Sequence, residues 1–176
     1  MSIVKAFNGE MVDFGKCMGC TIANSYNKNS NISGKVIKTK NFNIAQDSEL
    51  PINGFMVIGS NRHIESINEM TANEKEELIT LVDIAIASLK KLGVCNQYDV
   101  VWEEKENCHF HVWLMPRHKY LLDAMSTNII KKIGELFDYA KENLLTKENL
   151  QTINKTAEDL KKELLSNKTI KMLIAE

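Results

Sequence analysis

Cys108-His109-Phe110-His111-Val112-Trp113-Leu114-Met115-Pro116-Arg117 sets two histidines at alternate positions among large apolar residues. Side chains alternate along a β-strand, so the spacing predicts His109, His111 and Trp113 on one face and Phe110, Val112 and Leu114 on the other. The apolar set anchors the strand in a core. Its histidine face is then held in a fixed place, as a nucleophile or a metal ligand requires. A bare His-x-His more often marks two ordinary strand residues; the flanking anchors are what raise this one above that reading. Pro116 lacks an N–H and ends the strand.

Working outward, Tyr98 to Trp102 reads as a preceding strand, with the polar run Glu103 to Asn107 turning between the two. Thr71 and Glu74 have capping-box spacing, and Leu78, Leu81, Val82, Ala85, Ile86, Leu89 and Leu92 recur at helical intervals up to Gly93. That predicts a helix from Thr71 to Leu92. Three earlier strands are expected around Val36 and Ile37, around Phe42, Ile44 and Ala45, and from Phe55 to Ile58 ending at Gly59. Asp47, Ser48, Pro51, Asn53 and Gly54 supply turn chemistry among them. Asn24 to Ser33 is the most loop-like stretch. After Tyr120 the pattern becomes helical, with one stripe over Ile129, Ile130, Ile133, Leu136, Phe137 and Ala140 and another over Leu144, Leu150, Ile153, Leu160 and Leu164. The fold class is α+β: an antiparallel sheet of about five strands, a helix packed on it, and C-terminal helices from about residue 127. The domain reading is residues 1–118, then a helical extension over 119–176.

The chain has 176 residues, enough for one well-formed core. With 44% hydrophobic and 26% charged residues it is an ordinary folded protein. A net charge of −1 supplies no positive field for nucleic acid or an anionic membrane surface, so neither is expected as a partner. Lys5, Glu10, Asp13 and Lys16 interrupt any export signal, and no apolar run approaches bilayer length. A cytoplasmic location is therefore expected, where four cysteines stay reduced and bind metal or are simply buried.

The quoted stretch resembles the signature of the histidine-triad proteins, His-φ-His-φ-His-φ-φ with φ apolar, often followed by Pro-Arg. Trp113 stands in the third histidine's place, a form some branches of the superfamily carry. The resemblance runs from about residue 14 to 118. It takes in Cys17-Met18-Gly19-Cys20, the acidic turn Gln46-Asp47 before Asn53-Gly54, the apolar strand Phe55 to Ile58, the pair Arg62-His63 and the long helix.

What the resemblance implies is a histidine nucleophile. In the family the middle histidine attacks the α-phosphate of a nucleotide, a role that falls here to His111. A carboxylate that holds the ribose hydroxyls falls to Asp47, or to Gln46 if the register slips by one residue, because the segment from Phe55 to His63 is longer than the family's. Asn107, Trp113 and Arg117 are the further substrate contacts. A Gly-rich phosphate loop before the triad is missing, its place taken by the acidic Glu103 to Asn107. Trp113 cannot become a cation, so charge stabilisation falls to Arg117, Lys105 or Arg62. Glu103 and Glu104 read as solvated strand-end charges; Phe42, Ile44 and Phe55 line a base pocket or are plain core.

Cys17-x-x-Cys20 is half of a zinc site. Zinc-containing branches of the family complete it with residues matching His63 and His109, which implies a closed, structural Zn²⁺ site that leaves His111 free. The competing reading leaves both cysteines reduced and unligated. Cys95 and Cys108 read as buried small hydrophobes, His118 as a surface residue near the pocket mouth. The resemblance implies a nucleotide phosphohydrolase cleaving a phosphoanhydride, as in diadenosine tetraphosphate, or a phosphoramidate, and working as a homodimer. The alternatives are nucleotidyl transfer by the same histidine, a nucleotide-binding or zinc-stabilised interaction module with little turnover, and a catalytic zinc hydrolase with His111 as a ligand.

Overall fold

Apolar residues along 35–60 and 98–116 build one antiparallel sheet, and the helical stripes pack against it in two hydrophobic cores. The computed structural model describes residues 3–6, 8–26, 34–102, 104 and 108–175; the candidate residues Asn107 and Lys105, with Glu103, lie outside the described residues. In chain order the elements are β1 (Ile3–Lys5), β2 (Met11–Asp13), α1 (Met18–Ser25), β3 (Lys35–Lys38), β4 (Phe42–Gln46), β5 (Met56–Ser60), α2 (Ala72–Lys91), β6 (Tyr98–Trp102), β7 (His111–Pro116), α3 (Lys119–Ala124), α4 (Ile133–Asn143), α5 (Lys147–Ser166) and α6 (Lys168–Ala175). Strands β1 and β2 form a separate hairpin, while the main sheet has the order β3-β4-β5-β7-β6. The α+β class and the five-stranded antiparallel sheet agree with the sequence reading.

Register sorts the side chains. Asn43, Gly59 and His111 lie in one row, Ala45, Val57, Trp113 and Val101 in the next, and both rows share a face. On the opposite face Phe42, Ile44, Met56, Ile58, Val112 and Leu114 join Leu78, Leu81, Ala85 and Leu89 of α2 and Ala157, Leu160 and Leu164 of α5 in the main core. Phe42 and Ile44 are thus core rather than base-pocket residues. A second core joins Leu50, Ile52, Phe55 and Met115 to Leu121 of α3 and to Leu136 and Ala140 of α4, with Trp113 and Phe137 packed against it. Residues after 118 therefore contribute to both cores.

Helix α2 starts where the capping box places it. Glu74 N–H donates to Thr71 Oγ1 at 3.2 Å, and Thr71 N–H donates to the Glu74 carboxylate at 2.8 Å. The expected strand from His109 begins two residues later, at His111, because the groups before it have partners outside the ladder to β6. Phe110 N–H donates to Ile64 O at 2.7 Å, and Ser60 N–H donates to Phe110 O at 3.2 Å. The C-terminal helices begin at Lys119, ahead of the expected 127. Ser126 (φ 51°) and Thr127 (φ 66°) then terminate α3 in the left-handed region without any glycine to signal it. Among the described residues no helix is long and apolar enough to cross a membrane.

Candidate active site and metal centre

Four side chains from three parts of the chain converge beside the start of β7. Cys17 caps α1 and Cys20 lies in its first turn, His63 follows β5, and His109 precedes β7. Their ligand atoms all lie within 4.8 Å of one another. Both cysteine Sγ atoms sit 3.4 to 3.5 Å from Nδ1 of both histidines. Zn–S bonds of about 2.3 Å and Zn–N bonds of about 2.0 to 2.1 Å at tetrahedral angles require S···N edges of about 3.5 Å, so this donor set fits Zn²⁺.

The protonation states favour a cation. Nε2 of His109 lies 2.7 Å from the Ser60 carbonyl, which only accepts, so Nε2 carries the proton and the Nδ1 lone pair faces the sulfurs. Burial holds this imidazole below the usual histidine range, hence neutral, although the Ser60 carbonyl pulls the other way. Burial and the neighbouring Cys17 push the Cys20 thiol up to about 11, so a thiolate there needs a nearby positive charge.

Gly19, which the sequence reading did not single out, lets α1 approach this closely. A Cβ at Gly19 would lie 2.3 Å from Cγ of His109. Gly19→Ala is therefore expected to displace His109 from the cluster and lower zinc affinity by about tenfold or more, measured by competition with a chromogenic chelator. Only its place between the two cysteines points to Gly19 in the sequence; Ser60 carries no such signal.

His111 opens β7. Its Nδ1 lies 2.9 Å from the His109 carbonyl. A carbonyl accepts only, so Nδ1 is the donor, and a neutral ring then has its lone pair on Nε2. Trp113 follows on the same face, its ring centroid 5.5 Å from that of His111 at 49°. Phe55 and Phe137 hold Trp113 edge-on, at 6.0 Å and 5.9 Å.

Alternation separates the two ribose candidates. Asp47 continues the row parity of Asn43 and Ala45, the His111 face. Gln46 points the other way, is only 2% exposed, and donates through Nε2 to Ile52 O at 3.0 Å, so its amide N–H is already bonded within the fold. Burial pushes the Asp47 carboxyl up to about 6, against the Glu49 and Leu50 N–H groups, each 2.9 Å from Oδ1, and the charge of nearby His111. The folded-state value lies above the unfolded one of about 3.9. Stability linked to this group is thus full below about pH 4 and lost as pH rises through about 6. Asp47→Asn keeps an acceptor for both N–H groups. It is expected to stabilise the protein by about 1–2 kcal/mol above pH 7, with no gain below pH 4, in urea titrations at the two pH values.

Both arginines are engaged elsewhere. Arg117 Nη1 bonds the two Asp99 oxygens at 3.1 and 2.9 Å, and Arg62 bonds Glu74 at 2.7 and 3.0 Å, which ties it to the α2 cap rather than to a phosphate. Glu104 is no idle strand-end charge: it accepts from Ser66 Oγ and Ile67 N, both at 3.0 Å. His118 is half-buried rather than a surface residue. Its Nε2 lies 2.7 Å from Asn53 O, and its ring stacks on Tyr120. Cys95 and Cys108 are only partly buried, contrary to expectation, and Phe55 is wholly core.

No protein-family model matches the sequence, and no curated protein matches it. Solved structures do. A Zn-bound histidine triad family protein from Mycobacterium smegmatis superposes with a TM-score of 0.58 over 86% of this chain and 99% of its own, at 11% identity. The chain has the histidine-triad fold. A hypothetical histidine triad nucleotide-binding protein from Sulfolobus tokodaii strain 7 matches with a TM-score of 0.57 at 18% identity, over 84% of this chain and 93% of its own. A Hit-like protein involved in cell-cycle regulation from Bartonella henselae, with an unknown ligand, gives 0.56 at 11% identity, over 86% and 98%. The coverage shows that histidine-triad-fold proteins align with this chain well beyond the His-x-His strand. At such identities the likeness is one of fold, and chemistry has to be argued from this chain's own side chains.

Proposed function

We propose that the protein is a phosphohydrolase that cleaves a phosphoanhydride or phosphoramidate bond of a nucleotide through a nucleotidyl-histidine on His111. The observation that carries this reading is the bond from His111 Nδ1–H to the His109 carbonyl, which fixes the ring and leaves Nε2 as a nucleophile. Nε2 donates its lone pair to the α-phosphorus, and the bond from phosphorus to the leaving group breaks. The leaving oxygen or nitrogen departs with the electron pair and, for an amine, takes up a proton from solvent. Nδ1–H stays on the carbonyl throughout. Water then attacks phosphorus, Nε2 departs with its electron pair, and the water proton returns to solvent. Asp47 takes the ribose hydroxyls.

Cys17, Cys20, His63 and His109 would hold one Zn²⁺, which would supply the positive charge that two adjacent thiolates need and would tie α1 to the strand that carries His111. A set of four protein donors would leave His111 free, which favours a structural ion over a catalytic one. Nucleotidyl transfer differs only in the acceptor of the second step. A homodimer is part of the proposal: β6 is an edge strand with Val100 and Trp102 exposed.

The test is a single-turnover incubation with α-³²P-labelled dinucleoside polyphosphate and labelled adenosine phosphoramidate, quenched so as to preserve phosphohistidine. Label on His111 is the expected result. Bound nucleotide with neither label nor product would sink the reading and leave a binding module.

A further inference from the structure

We propose that the cleft built by the helical extension at the Pro116 end of β7 binds a small aliphatic amine as its ammonium ion, a second site that stands apart from His111 and does not depend on the nucleotidyl-histidine reading. The cleft has a volume of about 390 Å³, and Asn53, His118, Tyr120, Asn143, Glu148 and Asn149 are among the residues that line it. Asn53 precedes β5, and His118 and Tyr120 stand where β7 passes into α3; Asn143 ends α4, and Glu148 and Asn149 lie in the first turn of α5. At about 3.3 Å per residue, the strand puts His118 roughly 20 Å from His111. The volume falls in the range of small-molecule sites, about 300–1,000 Å³. A bare metal ion would leave most of it to water, whose share of liquid volume is about 30 Å³ a molecule.

Charge and hydrogen-bonding capacity select the ligand. Among the described residues that line the cleft, Glu148 is the one charged side chain, and no ion pair engages its carboxylate. Lys119 and Lys147 flank lining residues in sequence, but consecutive helical positions point about 100° apart and neither lines the cleft. Burial holds the His118 imidazole below the usual histidine range, hence neutral, although the Asn53 carbonyl pulls the other way. Several donors on the wall are already spent on backbone carbonyls. His118 Nε2 bonds Asn53 O at 2.7 Å, Asn149 Nδ2 bonds Pro51 O and Leu144 O at 2.7 and 2.8 Å, and Thr152 Oγ1 bonds Glu148 O at 3.0 Å. What remains on these residues accepts: His118 Nδ1, Asn149 Oδ1 and the Glu148 carboxylate. Asn53 Oδ1 is a further buried acceptor without a partner. The C-terminus of α4, at Asn143 and Leu144, turns the negative end of a helix dipole toward the cleft, while the positive end of α5 is capped by Thr146 and offset by Glu148. The stacked rings of His118 and Tyr120 add an aromatic wall against which a cation can rest. An anion would meet Glu148 and no cation. An ammonium supplies three N–H donors and the opposite charge.

The experiment titrates the zinc-loaded full chain by calorimetry with 1,5-diaminopentane, with its uncharged isostere 1,5-pentanediol and with glucose. The diamine is expected to bind with a Kd of about 1 mM or below, and neither uncharged probe to bind measurably. Glu148→Gln should weaken the diamine by at least about fivefold, and Tyr120→Ala by about two- to fivefold. Glu142→Gln removes the same charge from an exposed position outside the cleft and should leave Kd unchanged. Thr152 is exposed and belongs to neither core, so Thr152→Phe should fill the cleft and abolish binding while the melting temperature holds. No saturable binding of the diamine in the millimolar range would overturn the proposal. Equal losses from Glu148→Gln and Glu142→Gln would do so as well, since diffuse attraction to an acidic surface gives that pattern. Binding of the diol or of glucose as tight as that of the diamine would assign the cleft to a neutral polyol instead.

Discussion

Replacement of His111 by asparagine is expected to lower kcat by at least about 10³-fold while nucleotide affinity stays within about threefold of wild type. Asparagine Nδ2 can still donate to the His109 carbonyl, so the turn into β7 is kept, but the side chain has no nitrogen lone pair to form a bond to phosphorus. His111 is only partly buried and takes no place in either hydrophobic core, so its loss leaves no cavity and the fold should melt normally. Turnover and calorimetric binding on the same preparation separate the two effects. If the variant kept more than a tenth of the wild-type rate, the nucleophile would have to lie elsewhere.

The second large effect is expected from the metal centre. Purified protein should contain one zinc per chain by elemental analysis, and removal by a strong chelator, or Cys20→Ser, should lower the melting temperature by about 10 °C. Structural zinc sites in isolated fingers contribute about 10–16 kcal/mol. Here the four ligands belong to neither hydrophobic core, so a loss of about 3–5 kcal/mol is the expected share, and about 2–4 °C per kcal/mol holds at this chain length. The damage should be local, with faster amide exchange in α1 and around His63, while α2 and α5, packed in the main core, stay protected. His109 links the two predictions, because the residue whose ring faces the cysteines also offers its carbonyl to His111. Metal removal is therefore expected to reduce turnover as well as stability. A protein that neither bound zinc nor lost stability on Cys20→Ser would show the cluster to be a set of ordinary thiol and imidazole contacts.

The parts of this structure that were legible in the sequence are those written in short periods. The apolar runs at residues 36–37 and 42–45 mark strands buried on both faces, and the capped 3.6-residue stripe from Leu78 to Leu89 marks the buried face of α2, patterns that residues a few positions apart display. The less regular pieces were not legible. The β1–β2 hairpin has only three residues a side, too few to display alternation. The end of α3 uses left-handed Ser126 and Thr127, residues that do not advertise that conformation. His109 looked like a strand residue by its spacing, yet its ring and the neighbouring backbone are claimed by Ser60 and Ile64, so the ladder starts at His111.

The sequence by itself determined the fold class, the helix cap, and the place of His111 on a strand whose alternate side chains anchor a core, because each follows from neighbours a few residues apart. Only the tertiary structure decided that Cys17 lies beside His63 and His109, 46 and 92 residues away along the chain. It also decided that Gln46 and Asp47 turn to opposite faces of the sheet, that Arg117 belongs to Asp99, and that Phe137 closes on Trp113. Those outcomes depend on which distant groups meet across the sheet. No local period encodes such a meeting, since it is set by strand order and by the competition of each charge or ring for the partner that folding brings within a few ångströms.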